Sequence, residues 1–198
     1  RPVLDLRQLR AAGVGEPAEG SGGDFGWFEA WVRQRLALCL TFARGLPREQ
    51  MLEGFRLVPR DPVEETFEEV DASADLGRPR VRVGERDGWG YAVEHFTQRG
   101  SDERTLGRLS ATGGEALALT YTQTISAFVY WANGEWVSGF DLTVPHIRWG
   151  TEPHRFDADM ERAGFLRPGL PTPRAASARF VQLAFGITID QEMLERPL

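Results

Sequence analysis

Lysine is absent from this 198-residue chain, and all 23 of its basic residues are arginine. A genome rich in G and C produces that bias without functional selection, yet the absence still removes chemistry. No Schiff-base lysine, lysine nucleophile or phosphate-loop lysine exists, so nucleotide hydrolysis by the usual phosphate loop is excluded. A single cysteine, Cys39, excludes an internal disulfide and a cysteine-rich metal site. No apolar run reaches the roughly 18 residues that a membrane span needs, and the first residues do not read as a signal peptide. These absences point to a cytoplasmic protein with no membrane partner. A serine hydrolase would show a Gly-x-Ser-x-Gly elbow, and none occurs.

Hydrophobic residues make up 41% of the chain and charged residues 26%, ordinary values for a globular domain with one sizeable core. The formal net charge of -6 argues against general nucleic-acid binding. Arg78, Arg80, Arg82 and Arg86 form one local basic patch on a hairpin, where alternate exposed positions are normally solvated charge.

Residues 1–23 hold a short amphipathic stretch, Leu4, Leu6 and Leu9, followed by Gly13 to Gly23, which cannot bury enough apolar surface to offset chain entropy. They are expected to form a flexible N-terminal arm, with residues 24–198 a single α+β domain. Asp24 is the expected N-cap of a helix with Trp27, Phe28, Trp31 and Val32 on one face. Leu36, Leu38, Leu40 and Phe42 alternate as a strand, and Pro47 opens a helix that turns Met51, Leu52 and Phe55 inward. Asp61 to Asp75 is acidic, with Val63, Phe67 and Val70 at helical spacing, and reads as a surface helix. Asp87-Gly88 and Asn133-Gly134 each join two strand-like runs and tolerate the positive φ angles of a type I′ turn, so both mark hairpins. Ser101 is expected to cap a helix through Leu106 and Leu109, and Thr151 a helix burying Phe156 and Met160. Thr172 should cap a helix with Ala176, Phe180, Leu183 and Ala184 on one face, and Thr188 with Gln191 a last short one. The expected class is α+β: a mainly antiparallel sheet of about six strands, helices packed on one face and a helical C-terminus.

His146, Glu152 and His154 supply two nitrogens and a carboxylate, but their spacing fits no helical or hairpin register, so no metal and no cofactor are expected. Glu94 and His95 alternate across a strand and cannot form an acid-base couple. Cys39 lies among leucines and reads as a small buried hydrophobe. What stands out is an aromatic and arginine cluster: Tyr121, Tyr130, Trp131, Trp136 and Trp149 within 29 positions, with Arg148 beside the last. Aromatics alternating in strands are core, or else one sheet face is an open aromatic surface that Arg148 anchors with its planar fork.

Leu40-Thr41-Phe42-x-Arg44-Gly45-Leu46-Pro47, Tyr130-Trp131-Ala132-Asn133-Gly134 and Arg148-Trp149-Gly150-x-x-Pro153 continuing to Ala163-Gly164-Phe165 resemble an uncharacterised family of actinobacterial proteins. That family is catalogued only as a domain of unknown function. The resemblance covers roughly Trp27 to Leu194 and implies a compact cytosolic domain, but brings no activity and no catalytic residues.

The expected function is a non-catalytic protein-interaction domain, of adaptor, immunity-like or chaperone type. Its binding residues would be Arg148, Trp149, His146, Trp131 and Trp136, and its partner another protein. Two alternatives stay open: a small anionic ligand anchored by Arg148, or a hydrolase-type enzyme with a site built from Glu94, Asp141 and His146.

Overall fold

Asp87 and Asn133, each followed by glycine, adopt φ angles of 53° and 52°, with 78° and 82° at Gly88 and Gly134. Both hairpins therefore close as the dipeptides require. The computed structural model describes residues 25–35, 37–57, 80–165 and 172–195. The expected arm, Asp24 and the acidic stretch 61–75 lie outside the described residues.

Six α-helices are present among these residues: α1 Gly26–Arg33, α2 Arg48–Gly54, α3 Glu103–Gly113, α4 Asp157–Ala163, α5 Pro173–Phe185 and α6 Gln191–Glu195. The strands are β1 Ala37–Arg44, β2 Arg80–Arg86, β3 Trp89–His95, β4 Glu115–Thr122, β5 Ser126–Ala132, β6 Glu135–Asp141 and β7 Arg148–Trp149. They form one sheet in the order β2-β3-β1-β4-β5-β6-β7, and every neighbouring pair is antiparallel. The class is α+β with a helical C-terminus. The seventh strand comes from the Arg148-Trp149 run, which returns alongside β6.

Helices cover both faces of the sheet, not one as expected. Leu38, Leu40 and Phe42 of β1 join Tyr91, Val93, Leu117, Leu119, Tyr121, Phe128 and Tyr130 in a core under α1, α4, α5 and α6. The intervening Cys39 and Ala43 join Ala92, Ala116 and Ala118 in a second core under α2 and α3, which contribute Met51, Leu106 and Leu109. Large side chains occupy the first face and small ones the second, so α2 and α3 approach the sheet closely. A continuously apolar run such as Ala116 to Leu119 is the signature of a strand buried on both sides.

Several expected caps are replaced. Ser101 ends a short 3₁₀ turn, Arg99–Ser101, and its hydroxyl donates to the Gln98 carbonyl. Thr151 donates to the Trp136 carbonyl and lies outside α4. The Asp190 carboxylate, not Thr188, accepts the Met193 N–H at the start of α6. Thr172 does cap α5, accepting from Ala175 N. Leu183 of that helix is 38% exposed, because the buried side of α5 runs through Ala176, Phe180 and Val181.

Candidate functional site: a tryptophan face beside α3

The aromatic cluster splits between the two faces. Tyr121 and Tyr130 point into the large core. Trp131 points the other way and packs against the second core, as does Val129. Strict alternation along β6 would send Trp136 to the same side as Phe140, into the large core. A bulge prevents this: Tyr130 pairs with Ser138 but Trp131 pairs with Trp136, leaving Val137 as the extra residue. Val137 turns into the large core and Trp136 comes to lie beside Trp131. Trp149 lies opposite Gly139, which in turn pairs with Val129. A Cβ on Gly139 would fall 2.9 Å from the Phe128 carbonyl oxygen and would touch the Trp149 ring at 3.4 Å, so glycine fits the close strand pairing beside the indole.

Trp131, Trp136 and Trp149 therefore share one sheet face, and each is half-buried. α3 forms the wall: the Trp131 ring lies 3.5 Å from where a Cβ on Gly107 would be, and Gly134 N donates to Ser110 Oγ at 3.1 Å. The Asp141 N–H donates to the Ile147 carbonyl, extending the β6–β7 ladder by one residue, and Ile147 is 44% exposed. Trp136 Nε1 is shielded from solvent and makes no hydrogen bond among the described residues.

Arg148, the expected anchor, belongs to the opposite side. It pairs with Phe140 in the ladder, its Nε donates to the Pro145 carbonyl at 3.1 Å, and Nη1 lies 3.2 Å from His154 Nδ1. The same guanidinium is ion-paired with Asp157 at the start of α4. With its side chain 11% exposed, Arg148 clamps the β6–β7 loop to α4 and does not present its fork to a ligand. Replacing Arg148 by alanine is expected to cost about 1–3 kcal/mol in thermal or urea unfolding. Arg148→Lys should recover only part of this, since an ammonium cannot serve Pro145 and Asp157 together. Full stability of Arg148→Ala would remove the clamp. His146 is exposed in the loop and is not drawn toward the tryptophans by any hydrogen bond.

The residues named for a hydrolytic site do not converge. β3, which carries Glu94, and β6, which carries Asp141, are four strand steps apart, roughly 19 Å at the usual spacing. Asp141 Oδ1 accepts from Thr143 N, Thr143 Oγ1 and Val144 N. Burial opposes its ionisation, but those bonds hold it below the ordinary carboxylate range. Cys39 is fully buried, and burial followed by the Glu94 carboxylate pushes its thiol up, away from nucleophilic use. Glu152 is tied to Arg155 and His154 to Asp157. Among the described residues no group of three or more His, Cys, Asp or Glu is placed so that it could hold a metal ion.

Two polar clusters escaped the sequence. Glu94, buried, accepts from Thr97 Oγ1 at 2.7 Å and from Arg99 N and Gly100 N at 3.0 and 2.6 Å. Tyr130 donates its hydroxyl to Glu115 Oε1 at 2.7 Å, and burial, then that bond, push the phenol up to about 12. This tyrosine holds its proton and is no general base. Of the basic patch, Arg78 and the Arg80 side chain lie outside the description, while Arg82 donates to the Met193 carbonyl and Arg86 pairs with Asp190. Both bonds fix α6 against the sheet edge.

A family model of unknown function, DUF6461, matches residues 19–179, and the chain belongs to that family. No curated protein and no solved structure matches it.

Proposed function

We propose that this DUF6461 chain is a protein-interaction domain whose contact surface is the face carrying Trp131, Trp136 and Trp149, bordered by Val129 and Ile147. The observation that carries the reading is the placement of three half-buried indoles on one sheet face, Trp136 turned there by the β6 bulge. Tryptophan has a large apolar body and one donor, and it is strongly enriched among residues that dominate binding energy. The role is non-catalytic and cytoplasmic, of adaptor, immunity-like or chaperone type. The anionic-ligand alternative loses its support, because Arg148 is engaged with Pro145, His154 and Asp157. The separation of Glu94 from Asp141 likewise favours binding over hydrolysis. No helix among the described residues is long and apolar enough to cross a membrane.

The test is affinity capture from the native host with wild-type protein and with Trp136→Ala and Trp149→Ala. A partner held by wild type should fall by about tenfold or more in both variants, the loss expected of a binding hot spot. Far-UV circular dichroism and melting curves would show that the variants remain folded. Equal capture by all three proteins would move the interface elsewhere.

A further inference from the structure

Resting on that reading, we propose that the tryptophan face continues across α3 into an arginine ridge, Arg104 with Arg56 and Arg108. We infer that the partner presents a carboxylate-rich segment bearing an apolar side chain.

Arg104 lies three residues before Gly107, the residue that the Trp131 ring covers, so the two share the side of α3 nearest the tryptophans. Arg108 follows one turn later and holds the end of α2 against α3, its Nε and Nη2 donating to the Gly54 carbonyl at 2.8 and 2.6 Å. Two residues beyond Gly54, Arg56 terminates α2 in the left-handed region, at φ 54°. Paired bonds hold it there, Arg56 N to Glu53 O and Leu57 N to Leu52 O. That position favours glycine or asparagine, and an arginine in it points to a use for the guanidinium.

Arg33, Arg44, Arg86, Arg148, Arg155 and Arg162 all pair with carboxylates. Arg56 and Arg104 are exposed, and neither pairs with a carboxylate among the described residues. Asp102 and Glu103 precede Arg104, but they sit at the N-terminus of α3 and complement its dipole. Burial first, and then Arg56 and Arg104, lower the proton affinity of Arg108, as expected where guanidinium groups crowd.

On the adjoining tryptophan face Trp136 Nε1 is shielded from solvent, so polar recognition falls to the arginines. The carboxylate at its far end, Asp141, has Oδ1 committed to Thr143 and Val144. A surface of guanidinium donors beside aromatic rings matches carboxylates alternating with an apolar side chain.

The test uses the full chain with three fluorescent probes: a glutamate-rich peptide with a central phenylalanine, its glutamine-substituted twin, and a single-stranded oligonucleotide. Anisotropy should show the acidic peptide binding about tenfold tighter than its twin, with the gap closing as salt is raised. Arg104→Glu, an exposed substitution, should bring the acidic peptide down to the level of the twin without changing the melting curve. Trp136→Ala should weaken both peptides. Equal binding of the two peptides, or indifference to Arg104→Glu, would overturn the acidic assignment while leaving the tryptophan face in place. Loss on Arg104→Glu combined with indifference to Trp136→Ala would instead remove the tryptophan face. Preference for the oligonucleotide, or dimerisation that Arg104→Glu abolishes, would assign the ridge to another occupant and overturn the proposal.

Discussion

Replacing Glu94 by alanine should lower stability by about 3 kcal/mol or more, a fall in melting temperature of roughly 10 °C for a domain of this size. The carboxylate is fully buried and takes the hydroxyl of Thr97 and the amides of Arg99 and Gly100. Alanine leaves these three donors without an acceptor and opens a cavity beneath the 3₁₀ turn. Glu94→Gln should be milder, about 1–3 kcal/mol, because one amide oxygen still accepts while the NH₂ opposes a donor. Its pH profile separates charge from shape. Burial raises the proton affinity of Glu94, against hydrogen bonds from Thr97, Gly100 and Arg99 that lower it. A carboxyl raised in the folded state contributes stability that is fully present below its unfolded pKa. That contribution is lost as pH climbs through the folded value. The stability difference between wild type and Glu94→Gln should therefore be largest at the acid end and shrink as pH rises from the ordinary carboxylate range. Urea unfolding at a series of pH values measures it. A difference that widened with pH would show that the hydrogen bonds, not burial, dominate.

Gly150→Ala should cost about 3 kcal/mol or more and dismantle the tryptophan face with it. Gly150 has φ 98°, and an added Cβ would fall 2.4 Å from the Val137 carbonyl oxygen and 2.8 Å from Ser138 Cα. Both obstacles are backbone, so no side chain can swing aside. This contact is where the chain leaving β7 crosses the β6 bulge: Glu152 N donates to Val137 O at 2.8 Å and Thr151 Oγ1 to Trp136 O at 3.3 Å. The bulge exposes carbonyls, residues 151 and 152 satisfy them, and only glycine lets the backbones come that close. Gly45→Ala is the internal control. Its φ is 68°, but nothing lies within 4 Å of the added Cβ, so it should cost only the left-handed backbone term, about 1–2 kcal/mol. Thermal melts of the two variants, with a red shift of tryptophan emission in Gly150→Ala alone, check the pair. Equal losses would mean that the crossing tolerates a side chain.

Much of the local order was legible because its causes are local. Asp87-Gly88 and Asn133-Gly134 dictated their hairpins through turn geometry, and the strand-like runs that they join became β2, β3, β5 and β6. Cys39 was readable as a buried hydrophobe from its leucine neighbours. Caps were less legible. Ser101 and Thr151 have the right side chains but the wrong places: the residues that precede the helices are Asp102 and Phe156, and Ser101 falls within the 3₁₀ turn. The arginine of the candidate site was misread for a related reason. Arg148 is adjacent to Trp149 in sequence, but consecutive strand residues face opposite sides, so the pair could not serve one surface.

By itself, the sequence determined the antiparallel α+β class, both hairpins, the buried thiol and the crowding of aromatics near the second hairpin, since each depends on contacts within a few residues. Tertiary structure alone decided which aromatics became surface. One extra residue in β6 sent Val137 inward and Trp136 outward, and the glycines at 139 and 150 allow the close backbone approaches that result. It also decided that Glu94 would be a buried acceptor and that α2 and α3 would cover the second face. Those outcomes depend on strand register and on carbonyls brought together across the sheet. Such energies are long-range in sequence, and no local pattern encodes them.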